Sequence, residues 1–388
     1  MNPHTLDELP IAWRLSPEDV QAGWRALWWT VGPDGELAVM LVQRRYLSRD
    51  KYPRGWIGWR PETPFDGELV ITSGQEQRRI PVEGIELWPS HLALLPGSRF
   101  LLASGRAYRD AKGAWRENAV VYSAEGRPEG AFCLGDDIPA LVTDCSGGIW
   151  TAYGDEGIYG GHPESAAGLA GWNTRGVATW TPKGRLPDWP LEGCTAATEG
   201  ESVWLVWYSP KGTFLTRITP STGEVASYRS PVKVPDGFAV RGTRVVLTSR
   251  DHYKRRTTVT RAELVGDVCV AFDQERMRVP GRVVMKCGQG RDGTLWLRAG
   301  RTWGASMLET RGRQTIAGRP SRPAGRLSGR RRSPSRGAGR RREAPVAVER
   351  RRSPSRGAGA GRRPRRSPRG SRRPPRIPRG NRPLPRPP

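Results

Sequence analysis

The sequence predicts an all-β fold: a six-bladed β-propeller followed by a disordered, Arg/Pro-rich C-terminal tail. Three observations predict it. A short phrase returns through the chain, glycine followed by one or two polar residues and then an abrupt apolar run. It occurs as Gly35-Glu36-Leu37-Ala38, Gly97-Ser98-Arg99-Phe100-Leu101, Gly147-Gly148-Ile149-Trp150, Gly200-Glu201-Ser202-Val203-Trp204, Gly242-Thr243-Arg244-Val245-Val246 and Gly293-Thr294-Leu295-Trp296. Each is a turn feeding a strand, so the chain repeats one supersecondary unit. Between about residues 24 and 308 the apolar runs are short and broken by Gly, Pro, Asp and Ser, without a long 3.6-residue period. The composition then changes abruptly: Arg, Pro, Gly, Ser and Ala make up 67 of the 78 residues of 311–388.

Innermost strands are expected to begin near Ala26, Leu92, Ile138, Cys194, Phe238 and Val283, at separations of 66, 46, 56, 44 and 45 residues. Units of ~40–50 residues with four strands each have the spacing of propeller blades. One unit reads clearly. Residues 138–143 form a strand, 144–147 its turn and 149–153 a second strand; 176–180 is a third after a loop, and a weak fourth precedes Gly193. The two long intervals hold insertions, 44–64 and 155–173, which in repeat folds map to loops on one face. The sixth unit offers 283–287, 294–298 and 301–308 and lacks a fourth strand. An unclosed ring would leave an unpaired sheet edge. The strand-like segment 9–15 is therefore expected to pair as the outermost strand of that last unit. The expected domains are 1–308, the propeller, and 309–388, the tail. A β-sandwich pair is the alternative architecture.

The segment Asp144-Cys145-Ser146-Gly147-Gly148-Ile149-Trp150-Thr151-Ala152-Tyr153-Gly154-Asp155-Glu156-Gly157 resembles the Asp-x-x-Gly-x-Ile-Trp-x-x-x-x-x-Gly repeat of bacterial propeller proteins. These include sensor-kinase periplasmic propellers and the streptogramin-lyase-like group. The overall style is similar to propellers of high-GC actinobacteria, over roughly residues 24–300. The motif specifies blades, so the resemblance implies a fold and little chemistry. The lyase-like members imply one alternative, a small-molecule enzyme using a metal and a histidine.

The formal net charge of +26 is unevenly placed. Residues 311–388 hold 27 Arg, no Lys and two acids, Glu343 and Glu349, a net of +25; the body is left near neutral. A partner argued from charge belongs to the tail alone. So composed, the tail cannot bury enough apolar area to offset its chain entropy, and disorder is expected. It contains a duplicate, 330–339 repeated at 350–359. Arg330, Arg331, Arg332, Arg350, Arg351 and Arg352 are the expected polyanion contacts, binding phosphate backbone without sequence preference. The Arg-Ser-Pro-Ser-Arg phrase resembles the arginine/serine segments of RNA-binding proteins. Two other readings stand beside it: a polycation with no selected partner, and an out-of-frame reading of GC-rich DNA.

Cys133, Cys145, Cys194, Cys269 and Cys287 form no Cys-x-x-Cys pair and are odd in number, which argues for free, buried thiols in a reducing compartment. The start shows no secretory signal, and no apolar run reaches the ~18 residues of a membrane helix. A soluble, cytoplasmic monomer without membrane contact is expected.

Gly288-Gln289-Gly290-Arg291-Asp292-Gly293 matches Gly-x-Gly-x-x-Gly, but a strand follows where a dinucleotide site needs a helix, so it is read as an inner-hairpin turn. His4, His91, His162 and His252 have no ligand at metal-motif spacing, and no nucleophile–base phrase is present. No catalytic residue, metal or cofactor is assigned. Trp150, Trp204 and Trp296 share one strand position and are read as core. Tyr153, Asp155 and Glu156, leaving the most regular blade strand, are candidate ligand-binding residues for a cation or sugar-like molecule; the plain alternative is a solvated turn. Trp56 and Trp59 lie among Arg and Pro and are candidates for recognition or for loop packing. The expected function is a non-enzymatic propeller that binds a protein or small molecule on a face or at its axis. The alternatives are a lyase- or hydrolase-like propeller enzyme and a nucleic-acid-binding protein acting through the tail. Three or more carboxylates and a His converging on the axis would favour the enzyme.

Overall fold

The computed structural model describes residues 10–49, 58–251, 256–278 and 288–308. The chain divides into two units, Met1–Ala317 and Gly318–Pro388. The second unit, and with it every arginine assigned to polyanion contact, lies outside the described residues, as do Trp56, His4 and His252.

Strand β1 (Ile11–Arg14) and a short helix α1 (Pro17–Gln21) lead into the first sheet. It consists of β2 (Trp24–Val31), β3 (Leu37–Gln43), β6 (Phe65–Ser73) and β7 (Glu76–Ile85), with a small hairpin of β4 (Leu47–Arg49) and β5 (Trp59–Pro61) between β3 and β6. The second sheet is β8 (His91–Leu94), β9 (Phe100–Ala103), β10 (Ala119–Tyr122) and β11 (Pro128–Phe132). The third is β12 (Ala140–Thr143), β13 (Ile149–Ala152), β14 (Leu169–Trp172) and β15 (Ala178–Trp180), with helix α2 (Asp155–Tyr159) after β13. The fourth is β16 (Glu192–Glu199), β17 (Ser202–Ser209), β18 (Gly212–Thr219) and β19 (Glu224–Arg229). The fifth is β20 (Gly237–Arg241), β21 (Arg244–Asp251), β22 (Arg256–Val265) and β23 (Val268–Arg278). The last is β24 (Gly288–Arg291), β25 (Thr294–Ala299) and β26 (Thr302–Met307), and β1 adds to it antiparallel to β26 with Trp13 opposite Trp303. The fourth, fifth and last groups are joined into one twelve-stranded sheet by short parallel pairs of β24 with β16 and of β19 with β23.

Each inner strand neighbours the next, from β2 through β8, β12, β16 and β20 to β24, and β24 returns to β2. The circuit is that of a β-propeller, and the four-stranded groups are its blades. Alternation along each second strand explains the packing, because successive side chains point to opposite faces. On β3, Ala38, Met40 and Val42 join the core against the second blade, while Leu37, Val39 and Leu41 join the core against the last. On β17, Val203, Leu205 and Trp207 face the third blade, and Trp204 and Val206 face the fifth. Both faces are buried, so these strands read as continuous apolar runs. Each fully buried Leu or Val contributes about 1.5–3 kcal/mol.

The structure differs from the sequence reading in three places. The third strand of the third blade is β14, inside the segment read as an insertion, and 178–180 is the fourth strand. Gly288–Arg291 is strand β24, with the turn confined to Asp292 and Gly293. Gly290 is there because the inner strands crowd: a Cβ would lie 2.2 Å from the Phe238 carbonyl oxygen. The expected strand 283–287 lies outside the described residues. Cys133, Cys145, Cys194 and Cys269 are free thiols, but only Cys269 is buried and Cys145 is exposed.

Candidate functional site

A cavity of about 440 Å³ lies among the inner strands β2, β8, β12, β16 and β24. Leu27, Trp28, Leu92, Ile138, Pro139 and Leu141 give it apolar walls. It sits toward the N-terminal ends of β8, β12, β16 and β24, beside residues 27–30 of β2. At their C-terminal ends the strands close up. Ala197 pairs with Gly290 and Thr198 with Arg291 in parallel, and the buried Arg291 guanidinium donates to the Val31 and Thr143 carbonyls.

Two carboxylates line this cavity, Asp137 just before β12 and Glu192 at the start of β16. One backbone link within the third blade and one between the third and fourth bring a third to them. Gly154 N–H donates to Asp137 O at 2.8 Å, and Gly193 N–H donates to Tyr153 O at 2.9 Å. This sets the first residue of α2, Asp155, beside both. Oxygens of Asp137, Asp155 and Glu192 lie within 4.8 Å of one another. Gly154 permits the convergence, since a Cβ there would lie 2.3 Å from Asp137 Oδ2 and 3.1 Å from Glu192 Oε2.

Asp136 and Glu156 extend the acidic rim, bridged by Arg106. The Arg106 guanidinium donates to Asp136 Oδ1 at 2.9 Å and pairs with Glu156. Asp136 Oδ1 also accepts from the Ala107 and Asp137 amides, which holds the turn into β12. The Asp137 backbone adopts φ +53°, a region that Asp tolerates better than most residues. Burial pushes the Asp137 carboxyl above its ordinary range, opposed by Arg106. Tyr208, opposite Glu192 on β17, is raised by burial and then by Glu192 and Asp155. Close carboxylates with a partly buried member favour a positive charge between them. Their oxygens could hold a hard divalent cation or an ammonium group.

His91 lines the same cavity, buried, and its Nε2–H donates to Ile138 O at 2.6 Å. Tyr153 lies beneath the site. It is fully buried, its hydroxyl donates to Leu134 O at 2.9 Å and accepts from Trp172 Nε1 at 3.1 Å. Asp155 and Glu156 stand at the rim, on helix α2. Trp59, on β5, is half-buried against the core of the first blade with Arg49 over its ring at 6.0 Å, away from the cavity-lining residues. Sequence reasoning missed Asp136, Asp137, Glu192 and Arg106. The three acids share a signal, a carboxylate just before or at the start of an inner strand; Arg106, after β9, has none.

No protein-family model matches the chain, and no curated protein matches it. Solved structures similar in fold include the Cps50 (Swd1) β-propeller domain of Myceliophteria thermophila, 9% identical over 73% of this chain and 97% of that one, with a TM-score of 0.42. U3-55K is 8% identical over 74% of this chain and 99% of that one, with a TM-score of 0.41. Hsv2 of Kluyvelomyces marxianus is 8% identical over 73% and 97%, with a TM-score of 0.40. Likeness this distant assigns no ligand or activity. Among the described residues, no helix is long and apolar enough to cross a membrane.

Proposed function

We propose that the chain is a β-propeller binding module whose axial cavity takes a small organic cation, with its apolar body against the walls and its ammonium between Asp137 and Glu192. The observation that carries this reading is one partly open space with apolar walls, lined by two of the three converging carboxylates, Asp137 and Glu192. Such pockets combine area burial with a few placed polar groups that fix orientation. The low-dielectric walls strengthen the charge contact relative to water.

Calorimetric titration with 2-phenylethylamine tests it, with 2-phenylethanol as the uncharged control. The amine binds saturably and the alcohol at least about tenfold more weakly, because a hydrogen bond to a charged group contributes about 1.5–3 kcal/mol. Glu192→Gln removes most of that difference. Equal affinity for amine and alcohol would end the reading.

The convergence of Asp137, Asp155 and Glu192, with His91 deeper on the wall, favours a second reading. This is a cation-dependent, lyase- or hydrolase-like enzyme acting on a small molecule in the same cavity. Saturable calcium or manganese binding that Asp155→Asn abolishes, without amine binding, selects it. In either reading the arginines at 330–332 and 350–352 add salt-sensitive affinity for polyanions, and the module works in a reducing, cytoplasmic setting as a monomer.

A further inference from the structure

A second group of reactive side chains sits between the second and third blades and takes no part in the axial cavity. Cys133, just after β11, places its sulfur 3.5 Å from His162 Nε2. On the other side of the ring, Nδ1 lies 3.3 Å from Glu164 Oε2, off the line of a hydrogen bond. His162 is 5% exposed, with the rings of Trp115 and Trp172 at centroid distances of 5.1 and 6.3 Å. Cys133 is half-buried.

This order, nucleophile then imidazole then carboxylate, is the arrangement that activates weak nucleophiles. It is not a metal cage, because the two ring nitrogens point in opposite directions and only one could face an ion. The groups facing His162 are Cys133, Glu164, Asp136 and Arg109. Those facing Cys133 are His162, Asp136, Glu164, Tyr153 and the Gly135 amide. Asp136 is already bound to Arg106. Burial raises the thiol and lowers the imidazole, so the resting pair is neutral. A neutral imidazole is the form that accepts a proton.

We propose that Cys133 is a histidine-activated thiol, with the Glu164 carboxylate near enough to favour the imidazolium that forms, and that it exchanges with small disulfides. In the step His162 Nε2 accepts the thiol proton as the Cys133 sulfur attacks one sulfur of the disulfide. The new S–S bond forms as the old one breaks, and the departing thiolate takes the proton from Nε2. Cys133 is oxidised to a mixed disulfide and the other half of the reagent is reduced to a thiol.

The test uses the full chain and the neutral reagent 4,4′-dithiodipyridine, with labelled peptides quantified by mass spectrometry across pH 5–8. Cys145 is exposed and serves as the internal reference thiol. An ordinary thiol, with a pKa of about 8.5, loses about tenfold in rate per pH unit across this range. Cys133 instead holds its rate until the imidazole protonates, below about pH 6.5, and outpaces Cys145 at pH 6 by about tenfold or more. Glu164→Gln slows Cys133 and shifts the inflection of its profile while leaving Cys145 unchanged. The unmutated profile alone decides the matter if that variant fails to fold. A Cys133 rate that falls with pH in parallel with Cys145, or that stays below it throughout, overturns the proposal.

Discussion

Arg298 shows how one side chain closes a gap left by the backbone. Strand β2 carries an irregularity between Ala26 and Trp29, so its pairing with β3 breaks there. The Arg298 guanidinium fills the break, donating to Leu27 O at 2.6 Å, Ala26 O at 2.7 Å and Gly300 O at 3.2 Å. It also lies over the Trp303 ring at 4.7 Å. Burial pushes its pKa down to about 9, which leaves it charged at neutral pH. An unmet buried carbonyl costs about 1–3 kcal/mol, and Arg298 serves the last blade and the first together. Arg298→Leu keeps the aliphatic contact and removes the donors. It is expected to lower stability in urea by about 3 kcal/mol, whereas a loss below about 0.5 kcal/mol would make the guanidinium incidental.

At the scale of the element, the seams between blades are unequal. The core between the first two blades gathers Trp28, Met40, Phe65, Leu69, Leu94 and Phe100 among others. The seam between the fifth and last blades holds Ala239, Val246, Val259, Leu295, Leu297 and Leu308 and leaves a groove of about 880 Å³. Regions with few buried apolar contacts open locally at lower free energy. Hydrogen exchange should therefore run at least about tenfold faster in β21 and β25 than in β3 and β9. Uniform protection around the ring would contradict this account of the seams.

The same elements show what the sequence could convey. The Gly–polar–apolar phrases mark real turns, because the second strand of each blade is buried on both faces and cannot hide its apolar run. Strand β14 was hidden since Leu169-Ala170-Gly171-Trp172 dilutes its apolar signal with small residues. Strand β24 was hidden because its glycines, required by crowding at the axis, look like a turn. Asp155 and Glu156 were legible as a charged pair. Asp137 and Glu192 were not, since only the circuit of inner strands brings residues this far apart in the chain together.

For the whole molecule, charge and apolar burial are segregated along the chain. The aromatic residues and the near-neutral balance belong to the body, and 27 arginines belong to 311–388. Removing 309–388 is expected to leave the thermal midpoint of the body unchanged and to abolish retention of poly(U). That retention in the full chain should weaken with salt at a log–log slope of about −0.7 per phosphate contacted. Persistent retention after the deletion would place a basic site on the body. Recovery of an apolar strand in another reading frame near codon 309 would remove the tail from the account altogether.

The axial cavity carries the central claim, and an experimental structure of the body determined with 2-phenylethylamine tests it most directly. The account predicts the aromatic ring between Trp28 and Leu92 and the nitrogen within hydrogen-bond distance of Asp137 and Glu192. An amine seated elsewhere, or a cavity closed by the chain's own side chains with the carboxylates apart, would contradict it.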